Sequence, residues 1–350
     1  MPAEPASFDF SPSVNHRLLM EHTPRTMAFD GADPAAWRRR LRAKVAELLG
    51  RRPAERTALN VRSLWRREAA QGTIEKIVFT AERGADVPAF VCLPAKARPP
   101  YTWAICVQGH STGMHNSIAV DREDNSVPID VPGDRAYALT AMESGLAALC
   151  IEQRSFGERR EQAQETKSPS QCQVAACQAL MLGRTLIGER VWDVDRGIDY
   201  LLGRDDVRAD RIGVMGNSGG GTTSLFAAAT LDRLAWAMPS CYFCTFAASI
   251  MSIRHCECNY VPGLLTCAEM ADILGTFAPR PVVVVAGQKD DIFPIGATRQ
   301  AFDELQCIYA AFGAADRCRL VVGPEGHRFY AAPAWQALFE LIDGVTPRPA

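Results

Sequence analysis

Short apolar strands alternating with helical patterns predict an α/β fold: a mostly parallel central sheet flanked by helices. Three observations carry that reading. Apolar strand-like runs recur at residues 104–107, 146–151, 211–215 and 234–239, and helical patterns separate most of them. Residues 281–286, Pro-Val-Val-Val-Val-Ala, form a continuous β-branched run, as in a strand buried on both faces. Gly216-Asn217-Ser218-Gly219-Gly220-Gly221 then links a strand to a helix through a glycine-rich turn.

Residues 1 to about 30 read as an irregular arm. Asp33-Pro34 opens a helix, with Asp33 at the cap and Pro34 at the first helical position. Trp37, Leu41, Val45 and Leu48 recur at helical spacing, and the helix ends at Gly50. Arg38, Arg39, Arg40 and Arg42 form its basic face, read as a solvated surface and not as a nucleic-acid patch. Strands follow at 74–80 and 89–93 around the turn signal Arg83-Gly84. A helix at 134–143 and helical patterning over 171–203 come next, with Val191, Val194, Ile198 and Leu201 on one stripe. After the strand at 211–215, a helix covers 222–230. The chain closes with a helix from about 297 to 312, a strand at 319–322 and a helix from about 333 to 342. The expected organisation is an arm and helical extension over 1–73 and one main domain over 74–350, with insertions at about 153–187 and 241–278.

The chain has 350 residues, 47% hydrophobic and 22% charged, enough for a large core without disulfide or metal staples. A net charge of −2 gives no general attraction for nucleic acid or an anionic membrane. No apolar run approaches the ~18 residues that span a bilayer. The first residues carry Glu4, Asp9 and repeated prolines with no apolar stretch, so they are not read as a secretory signal and a cytoplasmic location is expected. The 12 cysteines are then expected to be reduced and mostly buried. An exposed apolar arm would point to a homodimer.

In an open parallel sheet, reactive groups sit on loops beyond the carboxyl ends of the strands. Ser218 lies on such a loop within Gly-x-Ser-x-Gly. A serine on that tight turn has its hydroxyl lifted above the sheet, and Gly216 and Gly220 stand where strand and helix nearly touch. The turn lacks the Lys-Ser/Thr of a phosphate-binding loop and the spacing of a dinucleotide fingerprint. A hydroxyl needs a base. Of histidines 16, 22, 110, 115, 255 and 327, only His327 follows the last strand, in Gly323-Pro324-Glu325-Gly326-His327. The base needs an acid, and the strand ending at Ala286 runs into Gly287-Gln288-Lys289-Asp290-Asp291-Ile292-Phe293-Pro294. Asp290, three residues after the glycine and four before the proline, is favoured over Asp291, which is left to cap the helix near Ile295. Backbone N–H groups of Gly219 and His110 are assigned to an oxyanion hole, Gly109 letting the loop approach closely. The His110 side chain itself is read as structural or pocket-lining.

QGHSTG, GNSGGG, GQKDDIFP and GPEGH, in this order, resemble the dienelactone-hydrolase and acetyl-xylan-esterase-like branch of the α/β-hydrolase superfamily. The resemblance covers roughly residues 74–345. It implies the α/β-hydrolase fold, with Ser218, Asp290 and His327 as catalytic triad in the superfamily's chain order. Gln108 departs from the histidine that many members carry before the glycine. The resemblance further implies a serine esterase for short-acyl esters such as acetylated sugars, acting on a small-molecule ester substrate without cofactor. The alternatives are a lactone hydrolase, an acylaminoacyl-type peptidase and a non-catalytic binding protein. Glucuronoyl esterases carry arginine after the elbow serine; Gly219 stands there in this chain, against that activity.

Tyr242, Phe243 and Tyr260 are candidates for lining a substrate pocket, with core packing as the other reading of each. Arg154 is a candidate contact for a substrate carboxylate, against a salt bridge to Glu158 or Glu189. His255-Cys256-Glu257-Cys258 invites a zinc reading, but no second Cys/His cluster at ligand spacing completes four ligands, so no metal is assigned. The loop is read as buried thiols on the substrate side, which Cys241 and Cys244 could approach.

Overall fold

The computed structural model describes residues 8–161 and 172–343. The start of the expected arm and the middle of the 153–187 insertion lie outside the described residues. Nine strands form one sheet: β1 (Arg62–Ala69), β2 (Gly72–Glu82), β3 (Ala85–Pro94), β4 (Tyr101–Val107), β5 (Ala147–Ile151), β6 (Val207–Asn217), β7 (Trp236–Ser240), β8 (Val282–Gly287) and β9 (Cys318–Gly323). Their order is β1-β2-β3-β5-β4-β6-β7-β8-β9. The pairings β1–β2, β2–β3 and β3–β5 are antiparallel; those from β5 through β9 are parallel. β5 and β8 are buried along their whole length, which is why they read as unbroken apolar runs.

Helices cover both faces. α3 (Tyr137–Glu143) and α9 (Ala331–Asp343) pack with Trp236, Met238 and Val283 on one side. On the other side lie α2 (Pro34–Leu48), α5 (Leu186–Leu202), α6 (Gly219–Thr230), α7 (Met270–Gly275) and α8 (Ile295–Ala311), sharing a core with Phe79, Leu149 and Val284. Each large apolar side chain buried there contributes about 1.5–3 kcal/mol. Asp33 caps α2 as expected, accepting from the Ala36 N–H. The arginine face of α2 is not simply solvated: Arg42 pairs with Asp232 at 2.6 Å, and Arg38 donates to the Ala278 carbonyl.

Three elements differ from the sequence reading. α1 (Pro12–His22) lies in the expected irregular arm and buries no residue, so no apolar stripe announces it. β1 lies before the first expected strand. Its sequence RSLWRREA is charged and mostly exposed, as suits an edge strand. The helical stretch 171–203 is two helices, α4 (Gln173–Met181) and α5. Gly183 takes φ +68° between them, and the Thr185 hydroxyl caps α5 by accepting from the Gly188 N–H.

Candidate active site

The glycine-rich turn delivers Ser218 between β6 and α6. Its backbone holds φ +57° and ψ −121°, a conformation that costs a non-glycine residue about 1–3 kcal/mol. The surroundings enforce it. A Cβ on Gly216 would stand 2.4 Å from the Val107 carbonyl oxygen and 2.7 Å from the Gly220 carbonyl carbon. One on Gly220 would stand 2.0 Å from the same Val107 oxygen. The Ser218 N–H donates to the Ser240 carbonyl at 2.9 Å, tying the turn to the end of β7. Its side chain lies at the N-terminus of α6, where the helix dipole favours negative charge.

Beyond β8 and β9, His327 Nδ1 stands 2.8 Å from Asp290 Oδ2. A carboxylate only accepts, so Nδ1 is the donor, and in the neutral tautomer Nε2 carries the lone pair. Nε2 is buried and has no hydrogen-bond partner, so the Ser218 hydroxyl is not bonded to it in this structure. Such contacts commonly tighten only with substrate bound. Burial works against the charge on Asp290. The hydrogen bond and charge of His327, with the N–H groups of Phe293 and Ile292, outweigh it and hold the carboxyl below its usual range. Asp290 Oδ1 accepts both of those N–H groups, at 3.0 and 2.9 Å. Asp290 thus serves the turn as well as the histidine, while Asp291 is exposed and α8 begins without a side-chain cap from it.

The loop after β4 presses against the serine turn. A Cβ on Gly109 would stand 2.8 Å from the Asn217 oxygen and 3.1 Å from Ser218 Cβ. No backbone carbonyl among the described residues takes the His110 or Gly219 N–H. Gln108 anchors the loop, donating to Ser117 Oγ and to the Arg135 carbonyl, both at 2.8 Å. Glu152, just past β5, secures it from the other side. Its carboxylate accepts the N–H groups of Met114 and Glu158 at 3.1 Å each. A Cβ on Gly157, at φ +46°, would stand 1.9 Å from Glu152 Oε2.

Burial pushes the Glu152 carboxyl up to about 7 against the opposing pull of those N–H groups. Between the unfolded value near 4.5 and about 7, the folded chain therefore holds a proton that the unfolded chain has lost. The stability this group gives is complete below the lower value and falls by about 3 kcal/mol as pH rises through the upper one. Glu152→Gln should remove that dependence. In melts at pH 5 and pH 8, the variant should lose about 4 °C less than the wild type; parallel losses would refute the assignment.

Ser218 and Gly219 open into a cavity of about 540 Å³, lined also by His110, Phe156, Tyr242, Arg254, His255, Asn259 and Phe293. Phe293 stacks on the His327 ring, centroids 5.8 Å apart, and tilts against Tyr242 at 5.4 Å. The sequence named Tyr242 for this wall. Phe293 and Phe156 were missed, although Phe293 stands three residues after Asp290. Phe243 is core instead, with its carbonyl accepting from Thr298. Tyr260 donates to the Ile250 carbonyl and faces a separate cavity that it shares with α1 residues His16, Arg17 and Met20. Arg154 is not a pocket residue. It is bound to Glu82 at 2.7 Å, Asp193 at 2.9 Å and Glu189 at 3.1 Å. Its competing partner Glu158 pairs with Lys76 instead.

A mostly parallel sheet with such a turn on a central strand defines the α/β-hydrolase class. The chain belongs to the Abhydrolase family, which it matches over residues 11–303. It is 26% identical over 289 residues to the Bacillus subtilis (strain 168) protein named "Putative hydrolase YtaP", covering 82% of this chain and 92% of that one. Among solved structures it resembles a Bacteroides fragilis NCTC 9343 protein described as a "putative acetyl xylan esterase", with TM-score 0.73 and 17% identity over 92% of this chain and 84% of that one. It also resembles a glucuronoyl esterase from Solibacter usitatus, with TM-score 0.66 and 15% identity over 91% and 97%. At these identities the structural likeness speaks for the fold. No helix among the described residues is long and apolar enough to cross a membrane.

Proposed function

We propose that this chain is a serine-dependent carboxylic ester hydrolase that works through an acyl-enzyme on short-acyl esters. The observation that carries the reading is Ser218, held at positive φ between glycines whose added Cβ would meet backbone atoms, on the same sheet edge as a histidine whose Nδ1 is anchored by a buried aspartate. In this mechanism His327 Nε2 takes the Ser218 proton as Oγ attacks the ester carbonyl. The N–H groups of Gly219 and His110 receive the oxyanion, worth about 3–4 kcal/mol for one such donor. His327 then protonates the departing alkoxide. Water, deprotonated by the same nitrogen, attacks the acyl-enzyme and releases the acid and Ser218. Asp290 keeps the tautomer and stabilises the imidazolium.

The cavity wall supports a small acyl group with a polar alcohol. Phe156, Tyr242 and Phe293 supply apolar faces, and Arg254, His255, Glu257 and Asn259 supply polar ones. An acetylated sugar fits that mixture. Gly219 supports the exclusion of a longer residue after the serine, since a Cβ there would stand 2.7 Å from His110 Nδ1. Phe8 and Phe10 are exposed on the arm and give it the apolar surface that a homodimer contact requires.

Hydrolysis of p-nitrophenyl esters from acetyl to octanoyl tests the substrate class. The expected result is a kcat/KM highest for acetyl and falling with chain length. A preference for octanoyl, or no cleavage of any member, would overturn it.

A further inference from the structure

Beside the serine turn, four metal-ligating side chains from three separate segments converge. They are His110 from the loop after β4, Cys172 from the position just before α4, and Cys256 and Cys258 from the loop after β7. Their ligand atoms all lie within 4.8 Å of one another. His110 Nε2 stands 3.1 Å from Cys258 Sγ, and Cys258 Sγ stands 3.5 Å from Cys256 Sγ. A tetrahedral zinc ion, with Zn–S about 2.3 Å and Zn–N about 2.0 Å, sets its ligand atoms roughly 3.5–3.8 Å apart. The cluster spans that separation, and all its cysteines are free thiols.

A second observation comes from Arg190, which is buried to 1% exposure. It donates to the Arg154 carbonyl and, at 3.2 Å, to Cys172 Sγ; among the described residues no carboxylate pairs with it. A buried guanidinium needs a negative counter-charge, and neutral thiols supply none. Three thiolates around a divalent ion leave one net negative charge beside it.

We infer that His110, Cys172, Cys256 and Cys258 form a closed, four-coordinate site for a thiophilic divalent cation, zinc in the first place. His110 and Cys256 are half-buried and border the cavity, which gives the ion its way in. Bound there, the ion ties the loop after β4, the start of α4 and the loop after β7 into one wall. It also fixes the His110 ring and with it the main chain at that position. No step of the proposed hydrolysis passes through it.

Elemental analysis of protein purified under reducing conditions from zinc-supplemented cells tests the site. About one zinc per chain is expected for the wild type and for Cys177→Ser, whose thiol is exposed. The pair Cys172→Ser/Cys256→Ser should lose at least about four-fifths of it. Should that pair fail to fold, wild type stripped by chelator and reloaded with Co²⁺ gives the same answer. Tetrahedral d–d bands with thiolate charge transfer are expected. Octahedral cobalt spectra, wild type without zinc, or a double variant that keeps its zinc would overturn the site.

Discussion

Ser218→Ala is expected to lower kcat/KM for an acetyl ester on the order of 10⁴–10⁶-fold while leaving the melting temperature nearly unchanged. Alanine keeps the same backbone at residue 218, and the Ser218 side chain is not a cap for α6, so stability does not rest on the hydroxyl. His327→Ala should produce a loss of similar size. The double variant should be little worse than either, because in the proposed mechanism the nucleophile and its base act as one unit. Progress curves on p-nitrophenyl acetate measure all three. A Ser218→Ala enzyme that retains a tenth of wild-type turnover, or losses that simply multiply, would break the proposed partnership.

The second large effect is structural. Gly220→Ala should lower the melting temperature by at least about 4 °C and abolish hydrolysis together. The added Cβ would fall 2.0 Å from the Val107 oxygen and 2.8 Å from its carbonyl carbon. These are backbone atoms of β4, which is paired on both sides by β5 and β6 and cannot retreat. Overpacking commonly costs about 1–3 kcal/mol, and a rigid backbone neighbour places this case at the top of that range. Gly296 is the control: a Cβ there meets nothing within 4 Å. Thermal melts of the two variants should separate cleanly. A Gly220→Ala protein melting with the wild type would mean that strand and helix do not approach as closely as the structure has them.

The elements legible in the sequence were those with a local signature. Asp33-Pro34 marked the start of α2, the valine run marked β8, and the glycines around Ser218 marked a contact that only glycine permits. His327 and Asp290 stood at fixed places after successive strands, and the structure joins them at 2.8 Å. What was not legible depends on the folded chain. The edge position of β1 allows charges that hide its periodicity. For Arg154 the sequence offered a salt bridge to Glu189 against a ligand contact, and that bridge is present, but Glu82 on β2 and Asp193 on α5 reach it only after folding. The sulfur cluster is the clearest case. Cys256 and Cys258 were read as buried thiols with no metal assigned, because Cys172 and His110, which the fold brings beside them, belong to other segments and no spacing rule connects them.

The central claim is that Ser218 forms the covalent intermediate. The most direct test is reaction with a fluorophosphonate, followed by peptide mass spectrometry to locate the adduct. One adduct per chain is expected, on the peptide carrying Gly216-Asn217-Ser218-Gly219-Gly220-Gly221, with parallel loss of ester hydrolysis. An adduct on another residue, or hydrolysis that persists after Ser218 is fully labelled, would contradict it.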